Sequence, residues 1–177
     1  VTFVYVTHDQ GEALTMSDRV AVFNEGVIQQ LDSVESLYET PSNRFVAGFV
    51  GDNTVLTGTL HDTSGGGAAI QLPGGHLLPG VNVNGAARGA RVQACVRPER
   101  IVLHPHTAYP KVSAVPATVA RTIYYGDHLR LMCDIGPGQA QATVKLPLTR
   151  ADANPHPQPG EQVQLEFPPA STRIYAL

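Results

Sequence analysis

Two runs in the second half of the chain, ATVARTIY at residues 117–124 and LRLMCD at residues 129–134, are rich in β-branched and apolar side chains. Each is four to eight residues long and is separated from its neighbours by Gly, Asp or Pro, which is the pattern of a strand bounded by turns. Similar short runs occupy residues 55–60, 68–72, 92–96, 101–103, 142–146, 162–167 and 172–175. Their regular spacing predicts a mainly β domain, built as a small barrel or sandwich. We expect exposed loops at residues 64–67 and 154–160.

The first fifty residues have a different pattern. Residues 1–6 form a continuous β-branched and aromatic run, which is typical of a strand buried on both faces in a parallel sheet. Asp9 and Glu12 have the spacing of a capping box before a short helix, and Asp32 and Glu35 repeat it before a second helix. A hairpin is predicted between them, with Asn24 to Gly26 as its loop.

The predicted organisation is therefore two domains. Residues 1–50 are expected to be the C-terminal end of an α/β domain, since the strand at residues 1–6 needs neighbours that the chain does not provide before it. A third short helix is predicted at residues 43–49. Residues 51–177 are expected to form the β domain, because Gly and Pro become frequent only after about residue 50.

Composition excludes several classes of function. The chain has 177 residues and a net charge of -3, without a basic block, so nucleic acid is not an expected partner. No run of 18 apolar residues and no signal peptide is visible, so we expect a soluble chain. Cys95 and Cys133 each lie in a strand-like run and are predicted to be buried thiols in a reducing compartment.

The candidate catalytic residue is His8. It follows a predicted buried strand and precedes a helix, at the sheet edge where α/β proteins collect their ligands. An imidazole there can donate a hydrogen bond to a phosphate oxygen, and the helix N-terminus adds a favourable dipole. The alternative is that His8 only helps the chain to turn.

A family resemblance favours the first interpretation. Residues 4–13, 14–30 and 38–51 together resemble the H-loop region and the end of the nucleotide-binding domain of importer-class ABC ATPases. The resemblance implies that His8 is the switch histidine that contacts the γ-phosphate of ATP. It also implies ATP and Mg as cofactors of the intact subunit, a second copy of that subunit and transmembrane permease subunits as partners, and a peripheral location on the cytoplasmic side of the membrane.

The phosphate loop G-x-x-x-x-G-K-[ST], the signature motif and the Walker B carboxylates do not occur in this sequence. We therefore expect the chain alone not to hydrolyse ATP and to bind no cofactor of its own.

The β domain resembles the TOBE-type regulatory domain, an OB-like fold that follows such ATPases. The residues that carry the resemblance are 96–100, 117–119 with 124–127, and 159–163. It implies a regulatory and dimer-stabilising role. Residues 49–53 and 56–58 look most like the polyamine branch of these importers, which transports putrescine or spermidine, with ferric iron, phosphonate and sugar branches as alternatives.

Competing interpretations remain for several residues. A free-standing OB-like domain that binds a small ligand is the alternative function. Arg97 and Glu99 can form either a surface ion pair or part of a ligand site. His104 and His106 lack further ligands at metal-binding spacing, so no metal site is predicted.

Overall fold

The computed structural model describes residues 1–62, 67–107, 112–148 and 156–177. The chain divides into two compact units, Val1–Gly51 and Asp52–Leu177. The predicted loops at residues 64–67 and 154–160 fall partly outside the described residues. No helix among the described residues is long and apolar enough to cross a membrane.

The first unit is small and combines three helices with one hairpin. Its elements in chain order are α1 (Gln10–Met16), β1 (Val20–Asn24), β2 (Val27–Asp32), α2 (Val34–Glu39) and α3 (Arg44–Phe49). The hairpin β1–β2 packs against the two later helices through four buried side chains. These are Val22, Leu37, Val46 and Val50.

Residues 1–6 do not form the predicted strand. They have no regular secondary structure, and Val1, Phe3, Val4 and Val6 are each more than 85% exposed. A strand with two apolar faces is stable only when neighbouring strands satisfy its backbone and other elements cover its faces. Within the described residues nothing pairs with this segment, so its composition alone does not make it a strand.

A side chain caps the N-terminus of each helix by a local hydrogen bond, although the capping residue is not always the predicted one. Asp9 caps α1 and accepts a hydrogen bond from the Glu12 amide at 3.1 Å. The cap of α2 is Ser33, one residue later than predicted, and its hydroxyl oxygen accepts from the Ser36 amide. Asp32 instead accepts from the Ser33 amide at 2.8 Å, and this hydrogen bond lowers the pKa of the Asp32 carboxyl.

The hairpin turn is also tighter than predicted. Asn24 pairs with Val27, which leaves only Glu25 and Gly26 in the loop. Both have positive φ angles, 49° and 76°, as a type I′ turn requires of its two central residues.

The described residues of the second unit form ten strands and two short 3-10 turns. Five strands form a closed barrel: β3 (Thr54–Asp62), β4 (Ala68–Gln71), β5 (Leu77–Asn82), β6 (Arg91–Val96) and β12 (Arg173–Ala176). The other five form a sheet in the order β10-β9-β8-β11-β7, made of β7 (Val102–Pro105), β8 (Ala114–Tyr124), β9 (His128–Asp134), β10 (Ala142–Pro147) and β11 (Gln162–Glu166). The predicted fold class, mainly β with an OB-like barrel, is confirmed.

One barrel strand, β5, was not predicted. Its sequence contains Pro79 and Gly80, which favour a turn when only local sequence is considered. In the barrel, Gly80 lies so close to the neighbouring chain that a Cβ atom there would be 2.6 Å from the Thr172 carbonyl oxygen. Gly80 therefore permits close packing inside the barrel, and does not mark a turn.

Side chains join the barrel to the sheet. The Thr54 hydroxyl donates to the Thr143 carbonyl at 2.6 Å and accepts from the Thr143 amide at 2.9 Å. The Gln139 side-chain amide likewise donates to the Thr57 carbonyl at 2.6 Å and accepts from the Thr57 amide at 2.9 Å. A single apolar core extends through both sheets and includes Leu56, Leu131 and Phe167 among its fully buried side chains.

Candidate functional site

His8 lies in an exposed bend immediately before α1. The residues on either side of it are fixed by hydrogen bonds, whereas its own ring faces solvent. The Thr7 hydroxyl accepts from the Asp9 amide at 3.0 Å, so the backbone turns tightly around His8. An exposed imidazole at the beginning of a helix can donate a hydrogen bond to an anionic ligand.

Glu12 has a role that the capping-box pattern did not predict. Its carboxylate accepts hydrogen bonds from the Thr7 hydroxyl at 2.8 Å and from the Tyr5 hydroxyl at 3.2 Å. A complete capping box would instead place this carboxylate on the amide of the cap residue, Asp9. Glu12 thus connects α1 to the segment before His8, so the backbone around His8 is tied to the helix on both sides.

A cleft of about 350 Å³ lies in the second unit, where β9 stops pairing with β8 and the β4–β5 turn approaches. This volume is at the lower end of the range for small-molecule sites. The floor is apolar and the rim carries ionisable or polar groups. The floor includes Leu72, Ala117 and Ile135, and the rim includes His76, His106 and Asp134.

Arg97 is buried, with 6% of its surface exposed, and its guanidinium donates to the Asp52 carbonyl at 3.2 Å. Glu99, two residues later, is exposed in the 3-10 turn Pro98–Arg100. Arg97 and Glu99 do not share a strand face, because β6 ends at Val96 and the 3-10 turn begins at Pro98. Arg97 serves a structural role at the beginning of the second unit.

The turn between β8 and β9 places aromatic and charged groups together. Tyr125 stacks on the His128 ring with centroids 4.9 Å apart, and the Arg130 guanidinium lies 5.2 Å from the Tyr125 centroid. His128 Nδ1 is 2.7 Å from an Asp127 carboxylate oxygen. This hydrogen bond lowers the pKa of the Asp127 carboxyl.

His104 and His106 have different surroundings. His104 Nε2 is 2.6 Å from a Glu166 carboxylate oxygen on the adjacent strand β11, whereas His106 lines the cleft. Among the described residues, no group of three or more His, Cys, Asp or Glu side chains could hold a metal ion.

Both cysteines are buried free thiols, as predicted. Burial, together with the neighbouring Asp134 charge, raises the pKa of the Cys133 thiol to about 11. Cys133 is therefore protonated at neutral pH and is a poor nucleophile.

Residues 94–174, which include all five strands of the second sheet and the first two residues of β12, match the TOBE domain family. The chain contains a TOBE domain. The match to the family model begins within β6 and ends in β12. Several residues discussed above lie inside the TOBE domain. They are Arg97, the group Tyr125, His128 and Arg130, and the cleft residues between His106 and Gln162.

Along most of its length, the chain is similar to curated spermidine/putrescine import ATP-binding proteins. It is 47% identical to that of Rubrobacter xylanophilus over 71% of this chain and 33% of the relative. It is 41% identical to one from Pseudomonas aeruginosa over 83% of this chain and 39% of the relative. With that of Roseobacter denitrificans it shares 34% identity over 99% of this chain and 48% of the relative.

The resemblance to the C-terminal part of ABC importer ATP-binding subunits is thus confirmed. The chain spans between a third and a half of the length of these relatives.

The fold is also similar to a crystal structure of the cytoplasmic molybdate-binding protein ModG with molybdate bound. The TM-score is 0.58, with 18% sequence identity, over 70% of this chain and 95% of that chain. At this identity the comparison shows a shared fold only.

Proposed function

We propose that this chain is the C-terminal part of the ATP-binding subunit of a bacterial ABC importer. The observation that carries the proposal is the similarity to such subunits along almost the whole chain, from the His8 region to the TOBE domain. In this proposal residues 1–50 complete the α/β nucleotide-binding domain and residues 51–177 form the regulatory domain.

His8 is proposed to be the switch histidine of the intact subunit. Its exposed ring and its position beside the N-terminus of α1 support a contact with the γ-phosphate of ATP. The hydrogen bonds of Thr7, Asp9 and Glu12 would hold the backbone on both sides of the ring, so that the imidazole meets the phosphate with little reorganisation. ATP and Mg are the proposed cofactors of the intact subunit.

The proposed partners are a second copy of the same subunit and transmembrane permease subunits, on the cytoplasmic side of the membrane. The TOBE domain is proposed to stabilise the subunit dimer and to receive regulatory signals. The names of the relatives favour putrescine or spermidine as the transported solute.

A second candidate function is a ligand-binding module within the TOBE domain. The cleft with an apolar floor and a rim of two histidines and one carboxylate supports it. This candidate is compatible with the first, because a regulatory domain can bind a small molecule.

The test is ATP turnover in a chimera in which this chain replaces the matching part of the Roseobacter denitrificans relative, whose similarity covers 99% of this chain. We expect the chimera to hydrolyse ATP and the isolated 177-residue chain not to do so. His8→Ala in the chimera is expected to lower kcat by about a hundredfold or more, as removal of one preorganised donor to a transition-state oxygen does in other enzymes.

His61→Ala is the matched control, since this histidine lies on β3 in the other unit and turnover should be unchanged. Equal turnover with and without His8 would refute the switch role. A folded chimera without ATP turnover would refute the proposed function itself.

A further inference from the structure

Asp52 is the first residue of the second unit, and two arginines of that unit hold it. Arg97, buried after β6, donates to the Asp52 carbonyl at 3.2 Å. Arg130 in β9 donates from Nη2 to the Asp52 carboxylate at 2.7 Å. Both the backbone and the side chain of Asp52 are therefore attached to the second unit.

The Arg130 guanidinium depends on few partners. Besides Asp52, it contacts the face of the Tyr125 ring, 5.2 Å from the centroid. Its Nε atom is buried, and among the described residues no atom accepts a hydrogen bond from it. The position of the guanidinium is thus determined mainly by Asp52 on one side and Tyr125 on the other.

The Tyr125 ring is in turn supported by the His128 ring. It stacks on His128 with an interplanar angle of 8°, and His128 Nδ1 is hydrogen-bonded to Asp127. The amide of Tyr125 donates to the His128 carbonyl at 3.0 Å, which closes the turn. The ring is held in one orientation although 52% of the residue is exposed.

These contacts form a continuous series from the junction of the two units to an exposed turn. We infer that the turn at residues 124–128 controls how firmly Asp52 is anchored, through the series Asp52, Arg130, Tyr125 and His128. An isolated, partly exposed ion pair orders its partners only weakly, so the orientation of Arg130 by the Tyr125 ring is required for the anchor. Loss of the Tyr125 ring therefore loosens Asp52 and Asn53 at the beginning of the second unit.

The experiment is ¹⁵N relaxation on the full 177-residue chain, with backbone order parameters of the Asp52 and Asn53 amides as the readout. In the unchanged chain we expect values near 0.85, as for rigid backbone. Arg130→Gln removes the ion pair with Asp52. Tyr125→Ala leaves that ion pair in place and removes only the aromatic ring, whose centroid lies 5.2 Å from the Arg130 guanidinium. Both variants are expected to shift the order parameters towards about 0.6, the value of flexible backbone.

Two controls separate this device from a general loss of structure. Tyr125→Phe keeps the ring and should behave like the unchanged chain. Tyr124→Ala removes the neighbouring exposed tyrosine, which is 69% exposed and lies outside the series. It should leave Asp52 and Asn53 unchanged. Order parameters of amides within β9 and β3 show in each variant that the barrel and the sheet remain folded.

Unchanged order parameters at Asp52 and Asn53 in Tyr125→Ala would overturn the inference, since the contacts of Arg97 and Arg130 with Asp52 would then be sufficient without the ring. An equal decrease in Tyr124→Ala would also overturn it, because the effect would not pass through the stacked ring. Tyr125→Leu repeats the test with a bulky apolar side chain that lacks a π face. The same decrease is expected, and its absence contradicts the inference.

Discussion

At the scale of single residues, two glycines of the barrel show how non-local packing selects an amino acid. A Cβ atom at Gly58 would lie 2.1 Å from the Gln71 carbonyl oxygen, and one at Gly80 would lie 2.6 Å from the Thr172 carbonyl oxygen. Neither glycine has a positive φ angle, so backbone conformation alone does not require glycine at either site. The close approach of another strand does, because backbone atoms cannot move aside as a flexible side chain can.

Gly80→Ala is expected to destabilise the second unit by about 1–3 kcal/mol, since the added methyl group meets backbone. Urea unfolding followed by far-UV circular dichroism measures the change. Gly74→Ala is the control, because its nearest neighbour is a His76 side-chain atom at 3.4 Å and its φ is not positive. A change within about 0.5 kcal/mol is expected for the control. The same unfolding midpoint for Gly80→Ala and the unchanged chain would contradict the close approach.

At the scale of elements, β3 shows how a side chain replaces a missing strand. β3 pairs with β4 only from Thr59 onwards, which leaves the backbone of Thr57 without a strand on that side. The Gln139 amide group supplies one donor and one acceptor to Thr57, as a neighbouring peptide group would. The loop between β9 and β10 therefore supplies hydrogen-bond partners to the part of β3 that β4 does not reach.

Gln139→Met keeps the side-chain volume but removes both hydrogen bonds to Thr57. We expect a loss of about 1–2 kcal/mol, since a partly buried amide and carbonyl lose their partners. Gln141→Met is the matched control on the same loop, because the Gln141 side chain donates to the exposed Asp134 carboxylate and not to β3. Its free energy of unfolding should change by less than about 0.5 kcal/mol. Equal losses in the two variants, measured by urea unfolding, would show that the hydrogen bonds of Gln139 to Thr57 do not stabilise β3.

At the scale of the whole molecule, the two units differ greatly in the core that stabilises them. The first has 51 residues and a core cluster of four buried side chains, whereas the core of the second extends through a barrel and a sheet. Small units bury a smaller fraction of their surface and are correspondingly less stable. Exposed apolar side chains on the first unit, such as Phe23, Val27 and Ile28, contribute nothing to its own core.

We therefore expect the first unit to unfold at a lower urea concentration than the second. Hydrogen exchange of α3 amides should then occur at urea concentrations where β9 amides are still protected. Val46→Ala, at a fully buried position, is expected to lower only the first transition, by about 1–3 kcal/mol. A single transition shared by amides of α3 and β9 would show that the two units unfold together.

Sequence patterns were sufficient where the determining interactions are local. The strands on both sides of the Tyr125 turn, the cap of α1, the position of α3 and the hairpin β1–β2 depend on residue patterns within a few positions. Local patterns were insufficient for residues 1–6, for β5 and for Arg97. All three depend on groups that are distant in sequence. Residues 1–6 need neighbouring strands, β5 needs the close approach of the Thr172 backbone to Gly80, and the buried Arg97 needs the Asp52 carbonyl. The cleft and the contacts of Gln139 and Arg130 likewise form only where segments that are distant in sequence come together in the fold. Only the tertiary structure therefore decided them.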